Sequence, residues 1–128
     1  MSGRVAALAL LLSAGLVPAC ARGEAPAPAV RVECRVLPQP PRVGPATVEV
    51  RLADAAGAPV RGATVGVEGN MNHAGMVPSI ATTREVAPGC YEGALEFTMG
   101  GDWFLLIDVR LADGAHFEEK VDVPGVAR

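Results

Sequence analysis

From Val30 onward, apolar side chains return at every second position in short runs, and never at the three-and-four spacing of a helix. Period two is the pattern of a strand with one face buried and the other wet. Val30, Val32, Cys34 and Val36 alternate with Arg31, Glu33 and Arg35. Val48, Val50 and Leu52 share one face of the run from Thr47 to Leu52, and Ala63, Val65 and Val67 share one face from Val60 to Glu68. Ser79 to Val86 has the pattern of a weak edge strand. Tyr91, Leu95, Phe97 and Met99 line a strong strand from Tyr91 to Met99, and Trp103, Leu105, Ile107, Val109 and Leu111 line the next. Phe117 to Val123 closes the series. Turn formers separate these runs: four prolines and a glycine within Leu37 to Pro45, Asp54-Ala55-Ala56-Gly57, Pro88-Gly89, Gly100-Gly101-Asp102 and Asp113-Gly114. Each is a local stop signal with its own turn chemistry.

Short strands at this spacing, with no helical segment among them, predict an all-β fold, an immunoglobulin-like antiparallel β-sandwich of about seven strands. The Cys–Trp–Cys order of antibody domains is absent, because Trp103 follows both downstream cysteines. Strand direction alternates along such a chain. The third and fifth strands then end at one pole, provided that Ser79 to Val86 crosses the sandwich once. That pole receives Met71, His73 and Met76 from one connection and Met99 from another, while His116 falls at the opposite pole.

The N-terminal segment has a different character. Arg4 precedes a nearly unbroken apolar run from Val5 to Val17, too short and wrongly flanked for a membrane-spanning helix but suited to an export signal. Leu16-Val17-Pro18-Ala19-Cys20 has the form of a bacterial lipobox, with Cys20 as the lipidated residue; cleavage at a nearby small residue is the alternative, since Pro18 is an unusual occupant. Residues 1–19 are then a lipoprotein-type signal peptide, 20–29 carry the lipidated cysteine and a Pro/Ala linker, and 30–128 form the domain. The expected location is the bacterial cell envelope, anchored to the membrane by lipid. Cys34 and Cys90 remain as an even pair in an oxidising compartment, which predicts a disulfide worth roughly 4 kcal/mol in the chain-entropy model. The alternative is two free thiols.

Chemistry concentrates in Gly69-Asn70-Met71-Asn72-His73-Ala74-Gly75-Met76-Val77-Pro78. Thioether sulfur is a soft ligand suited to Cu(I), needs no deprotonation and cannot be lost to disulfides. An extended Met71-x-His73 pair points both groups to one side, and Gly75 lets the chain turn and return Met76. Met71, His73, Met76 and Met99 are therefore candidate ligands, with Cu(I) as the cofactor. The competing role for Met71 and Met99 is core packing, where methionine is an ordinary filler. Trp103 is expected as a core anchor rather than a cation–π lid, and Glu118, Glu119 and Asp122 as a solvated face.

Pro88-Gly89-Cys90-Tyr91-Glu92-Gly93, followed by Phe97-Thr98-Met99-Gly100-Gly101-Asp102-Trp103 after a Met-rich loop, resembles YtkA-like domains, which are similar to the periplasmic part of FixH proteins. The resemblance covers roughly residues 31 to 124. It implies an exported immunoglobulin-like domain with copper or heavy-metal handling as a recurring context, and an oxidase-assembly or metal-transport protein of the envelope as partner. FixH proteins carry a membrane helix, where this chain is expected to carry a lipid.

Other classes are disfavoured. The formal charge is −3, or −4 once residues 1–19 are removed, with no basic run, which argues against a nucleic-acid partner. Asp102 and Asp108 have no evident Ser or His partner, and no phosphate-binding loop precedes a helix, so no enzyme activity is expected. The alternative to copper handling is a sandwich that docks on an envelope complex without metal.

Overall fold

The computed structural model describes residues 29–128, and the signal segment, Cys20 and all but the last linker residue lie outside them. Eight strands follow in order: β1 Val30–Leu37, β2 Gly44–Asp54, β3 Thr64–Asn70, β4 Ser79–Thr82, β5 Arg84–Ala87, β6 Cys90–Phe97, β7 Gly101–Arg110 and β8 His116–Val126. They form two antiparallel four-stranded sheets, β1-β2-β6-β5 and β4-β3-β7-β8. This is the A-B-E-D and C-F-G strand order of an immunoglobulin constant domain, with β4 added beside β3. The fold is thus an immunoglobulin-like β-sandwich of eight strands rather than seven.

The extra strand comes from the weak segment. Ser79 to Ala87 does cross the sandwich once, but it changes sheets on the way, pairing first with β3 and then with β6. Thr83 stands at the switch and donates its hydroxyl to the Val65 carbonyl at 2.6 Å. Gly93 makes the crossing tight, because a side chain there would meet the Thr82 carbonyl at 2.7 Å.

Inward-facing residues from both sheets fill the core. Val48, Val50, Phe97, Leu105, Ile107 and Val109 are fully enclosed, and Trp103 and Tyr91 nearly so. Each such aliphatic or phenylalanine side chain contributes about 1.5–3 kcal/mol by leaving water. Tyr91 also secures the β2–β3 connection: its hydroxyl accepts the Ala63 N–H at 3.0 Å and donates to the Val60 carbonyl at 2.9 Å. Burial raises its phenol above the ordinary range.

The outer face of the first sheet is charged. Arg35 pairs with Glu49 at 2.9 Å across β1 and β2, and Glu33 lies opposite Arg51. Charges of this kind on an edge strand discourage pairing with another chain.

Cys34 and Cys90 do not form the expected bridge; both are free thiols. Cys34 lies opposite Val50 on β2, whereas Cys90 lies opposite Arg51 on the far side of the same strand. Neighbouring positions on β2 face opposite ways, so one thiol turns toward the core and the other toward solvent. With a strand between them they are also roughly 10 Å apart, beyond the reach of a disulfide. The spacing of 56 residues carried no information about faces, and faces decide the matter.

Burial pushes the Cys34 thiol up to about 11. A thiol so raised is protonated and unreactive near neutrality. Iodoacetamide at pH 8 should therefore modify Cys90 well ahead of Cys34, with Cys34 accelerating only as pH approaches 11. Peptide mapping under non-reducing conditions reads both the order and the absence of a bridge.

Candidate metal centre

One pole gathers the β1–β2 connection, the segment 71–78 between β3 and β4, the turn 98–100 between β6 and β7, and the end of β8. The directions place them together: β3 and β6 both run toward this pole, and β7 starts from it. The two methionine-bearing connections thus share one end of the sandwich, as strand alternation requires. His116 begins β8 at the other end, where it pairs with Asp108.

The first segment is held at both ends. Asn70 donates to the Glu68 carboxylate at 2.8 Å, and Ser79 accepts the Glu96 N–H from the facing sheet at 3.2 Å. Gly75 turns the chain at φ +77°, the left-handed conformation expected there. Met71 is buried at 8 % exposure, Met76 is half-buried against the core, and His73 is exposed.

The second segment is held by Trp103. Its indole N–H donates to the Met99 carbonyl at 2.9 Å, and its ring meets Phe97 edge-to-face at 5.1 Å. Gly69 lies beneath that indole, where an added Cβ would make ordinary contact with it at 3.5 Å. Trp103 is the core anchor expected of it, and it also fixes the turn.

Met99 departs from expectation. β6 ends at Phe97, so Met99 lies beyond the strand and is 43 % exposed instead of continuing the inward face. Of the two methionines offered as core filler, Met71 packs and Met99 does not. Met71 nevertheless approaches the start of β7: a methyl group at Gly101, two residues from Met99, would stand 3.0 Å from Met71 Cε. The pole therefore presents one exposed thioether, one exposed imidazole, one half-buried thioether and a buried thioether beneath them. Cys34 and Cys90 lie elsewhere, on the β1-β2-β6-β5 sheet.

Among the described residues, no three His, Cys, Asp or Glu side chains cluster as a metal site. Asp102 and Asp108, which have no evident partner in the sequence, each have one. Asp102 accepts the Gly125 N–H at 2.9 Å, and Asp108 binds His116. Glu118, Glu119 and Asp122 are exposed, with Lys120 near Asp122 at 3.8 Å. Such surface pairs contribute little.

Two features of the pole escaped the sequence. Arg128 folds across Gly100, where an added Cβ would lie 2.8 Å from its Cγ. Val77 and Ile80, at 80 % and 66 % exposure, stand outward beside the histidine loop. Ile80 faces out because Ala81 faces in, a parity signal legible once β4 pairs with β3.

The YtkA-like family model matches residues 27–108. No curated protein matches the chain. A solved structure of murine CRIg is similar at 10 % identity and a TM-score of 0.44, covering 77 % of this chain and 98 % of that one. The strand order, not that likeness, identifies the architecture.

Proposed function

The chain belongs to the YtkA-like family, and on that premise we propose that it is a lipid-anchored protein of the bacterial cell envelope that binds Cu(I) at the methionine pole. Its role is copper buffering or delivery to an oxidase or an efflux system. The observation that carries this is the placing of both methionine-bearing connections at one pole, with Met71 against Gly101 at the start of β7, two residues from the exposed Met99. Thioether and imidazole are the donor types that hold Cu(I), and exposed donors at the end of a rigid sandwich permit exchange. Met76 and His73 supply further donors from the same loop.

The test is an anaerobic Cu(I) titration of the protein against a competing chromophoric chelator. One tightly bound equivalent is expected, unchanged when Cys34 and Cys90 are both replaced by serine. Met99→Leu and Met71→Leu keep side-chain volume while removing sulfur, so the fold should survive. Each should weaken Cu(I) binding at least tenfold, about 1.4 kcal/mol. His73→Ala should weaken it as well. No competitive uptake by the unmodified protein would overturn the proposal in favour of a metal-free docking module.

A further inference from the structure

Resting on the copper proposal, we infer that the partner exchanging metal at this pole approaches with an anionic surface around an apolar centre. The domain as a whole is acidic: residues 29–128 hold 13 Asp and Glu against nine Arg and Lys. The connections at the pole reverse that balance. Residues 37–43, 71–78, 98–100 and 124–128 contain no Asp or Glu, yet they contain Arg42 and Arg128. The nearest carboxylates, Glu68, Glu96 and Asp102, stand on the strands behind these connections, where Asp102 accepts the Gly125 N–H and Glu68 accepts from Asn70.

Backbone pairing brings the segments that carry the two arginines to one pole. Arg42 bridges Ala127, whose carbonyl accepts the Val43 N–H at 2.7 Å and whose N–H donates to the Pro41 carbonyl at 3.0 Å. Arg128 follows directly and lies over Gly100, the residue after Met99. Both side chains are exposed. The Arg128 side chain therefore stands beside the turn that carries the exposed thioether, and Arg42 lies at the same pole.

Apolar exposure concentrates at the same place. Of the six large hydrophobic side chains exposed on the described surface, Leu37, Val43, Val77 and Met99 lie in this pole's connections or at their edge. Ile80 begins the strand that leaves it, and only Val86 lies elsewhere. An apolar patch flanked by positive charge on an otherwise negative domain complements a carboxylate-rimmed apolar surface. A second copy would bring arginine against arginine. Complementary charge acts mainly on the rate of encounter, and it makes that rate fall with salt.

Ligand exchange leaves the metal as Cu(I) throughout, so the rate can be followed with chelators of chosen charge. The probes are the Cu(I) complex of disulfonated bathocuproine, which is anionic, and that of the unsulfonated parent, which is cationic. Stopped-flow transfer from the anionic complex to the protein should slow as salt rises. It should drop roughly tenfold in Arg42→Glu/Arg128→Glu, and recover in Arg42→Lys/Arg128→Lys, which keeps the charge. Transfer from the cationic complex should not slow in the glutamate pair. Equilibrium uptake of one Cu(I) with rates indifferent to salt and to both variants would overturn the inference while leaving the copper proposal intact. Absence of uptake by the unmodified protein would overturn both.

Discussion

Trp103→Ala lowers the stability of the domain by about 3–5 kcal/mol and frees the turn that presents Met99. The side chain is 2 % exposed and packs edge-to-face on Phe97 at 5.1 Å. Its removal leaves a cavity between β3, β6 and β7 that Gly69 cannot help to fill, because Gly69 has no side chain to move in. The lost indole N–H also leaves the Met99 carbonyl without its partner. Trp103→Phe separates the two effects. It keeps most of the packing and drops the hydrogen bond, so the loss should be smaller, with about 1 kcal/mol from the bond itself. Urea unfolding followed by circular dichroism measures both variants. Equal losses in the two would mean that the hydrogen bond, not the packed ring, dominates. A domain of this size holds only about 5–15 kcal/mol in total, so Trp103→Ala should shift the midpoint severely.

Gly89→Ala is expected to cost about 2–5 kcal/mol, the sum of a left-handed backbone penalty and steric overlap. Gly89 has φ +69°, and an added Cβ would lie 2.7 Å from Pro59 Cβ and 2.8 Å from the Leu52 carbonyl. Neither obstacle is a flexible side-chain end. The residue is also tied on both sides: its carbonyl accepts the Leu52 N–H at 2.9 Å, and its N–H donates to Glu85 at 3.0 Å. That N–H, with the one from Gly62, holds the Glu85 carboxyl below its ordinary range. Gly114→Ala is the control, with φ +92° but nothing within 4 Å of an added methyl. It should show only the backbone penalty, about 1–2 kcal/mol. If the two substitutions cost the same, the close approach to Pro59 has no energetic role.

Much of this architecture was legible because period two is a strong signal wherever one face is buried. Val48, Val50 and Leu52 alternate with Thr47, Glu49 and Arg51, and they form the middle of β2 as read. The poles were legible for the same reason, since strand order and direction carried Met71 and Met99 to one end. Ser79 to Val86 reads as one strand because a change of sheet at Thr83 leaves no mark in hydrophobic pattern. Met99 continued the parity of Leu95 and Phe97, yet β6 ends at Phe97 before parity can act. Cys34 and Cys90 are an even count, but pairing depends on faces set by β2. The Arg42 and Arg128 cluster needed the pairing of Ala127 with residues 41–43, a contact between distant parts of the chain that no local pattern encodes.

The described chain enters β1 at the end of the sandwich opposite the methionines, since Val30 pairs with Asp54 at the close of β2. With 11 residues, β2 spans nearly the whole domain, roughly 35 Å at the usual rise per residue. Under the proposed lipid at Cys20, the thioethers sit at the tip of a leash and not against the headgroups. The length of the sandwich then separates the proposed copper port from the point at which the tether attaches. Metal could then pass to a domain that projects from the membrane or travels free of it, but a site flush with the lipid would lie out of reach unless the leash folded back.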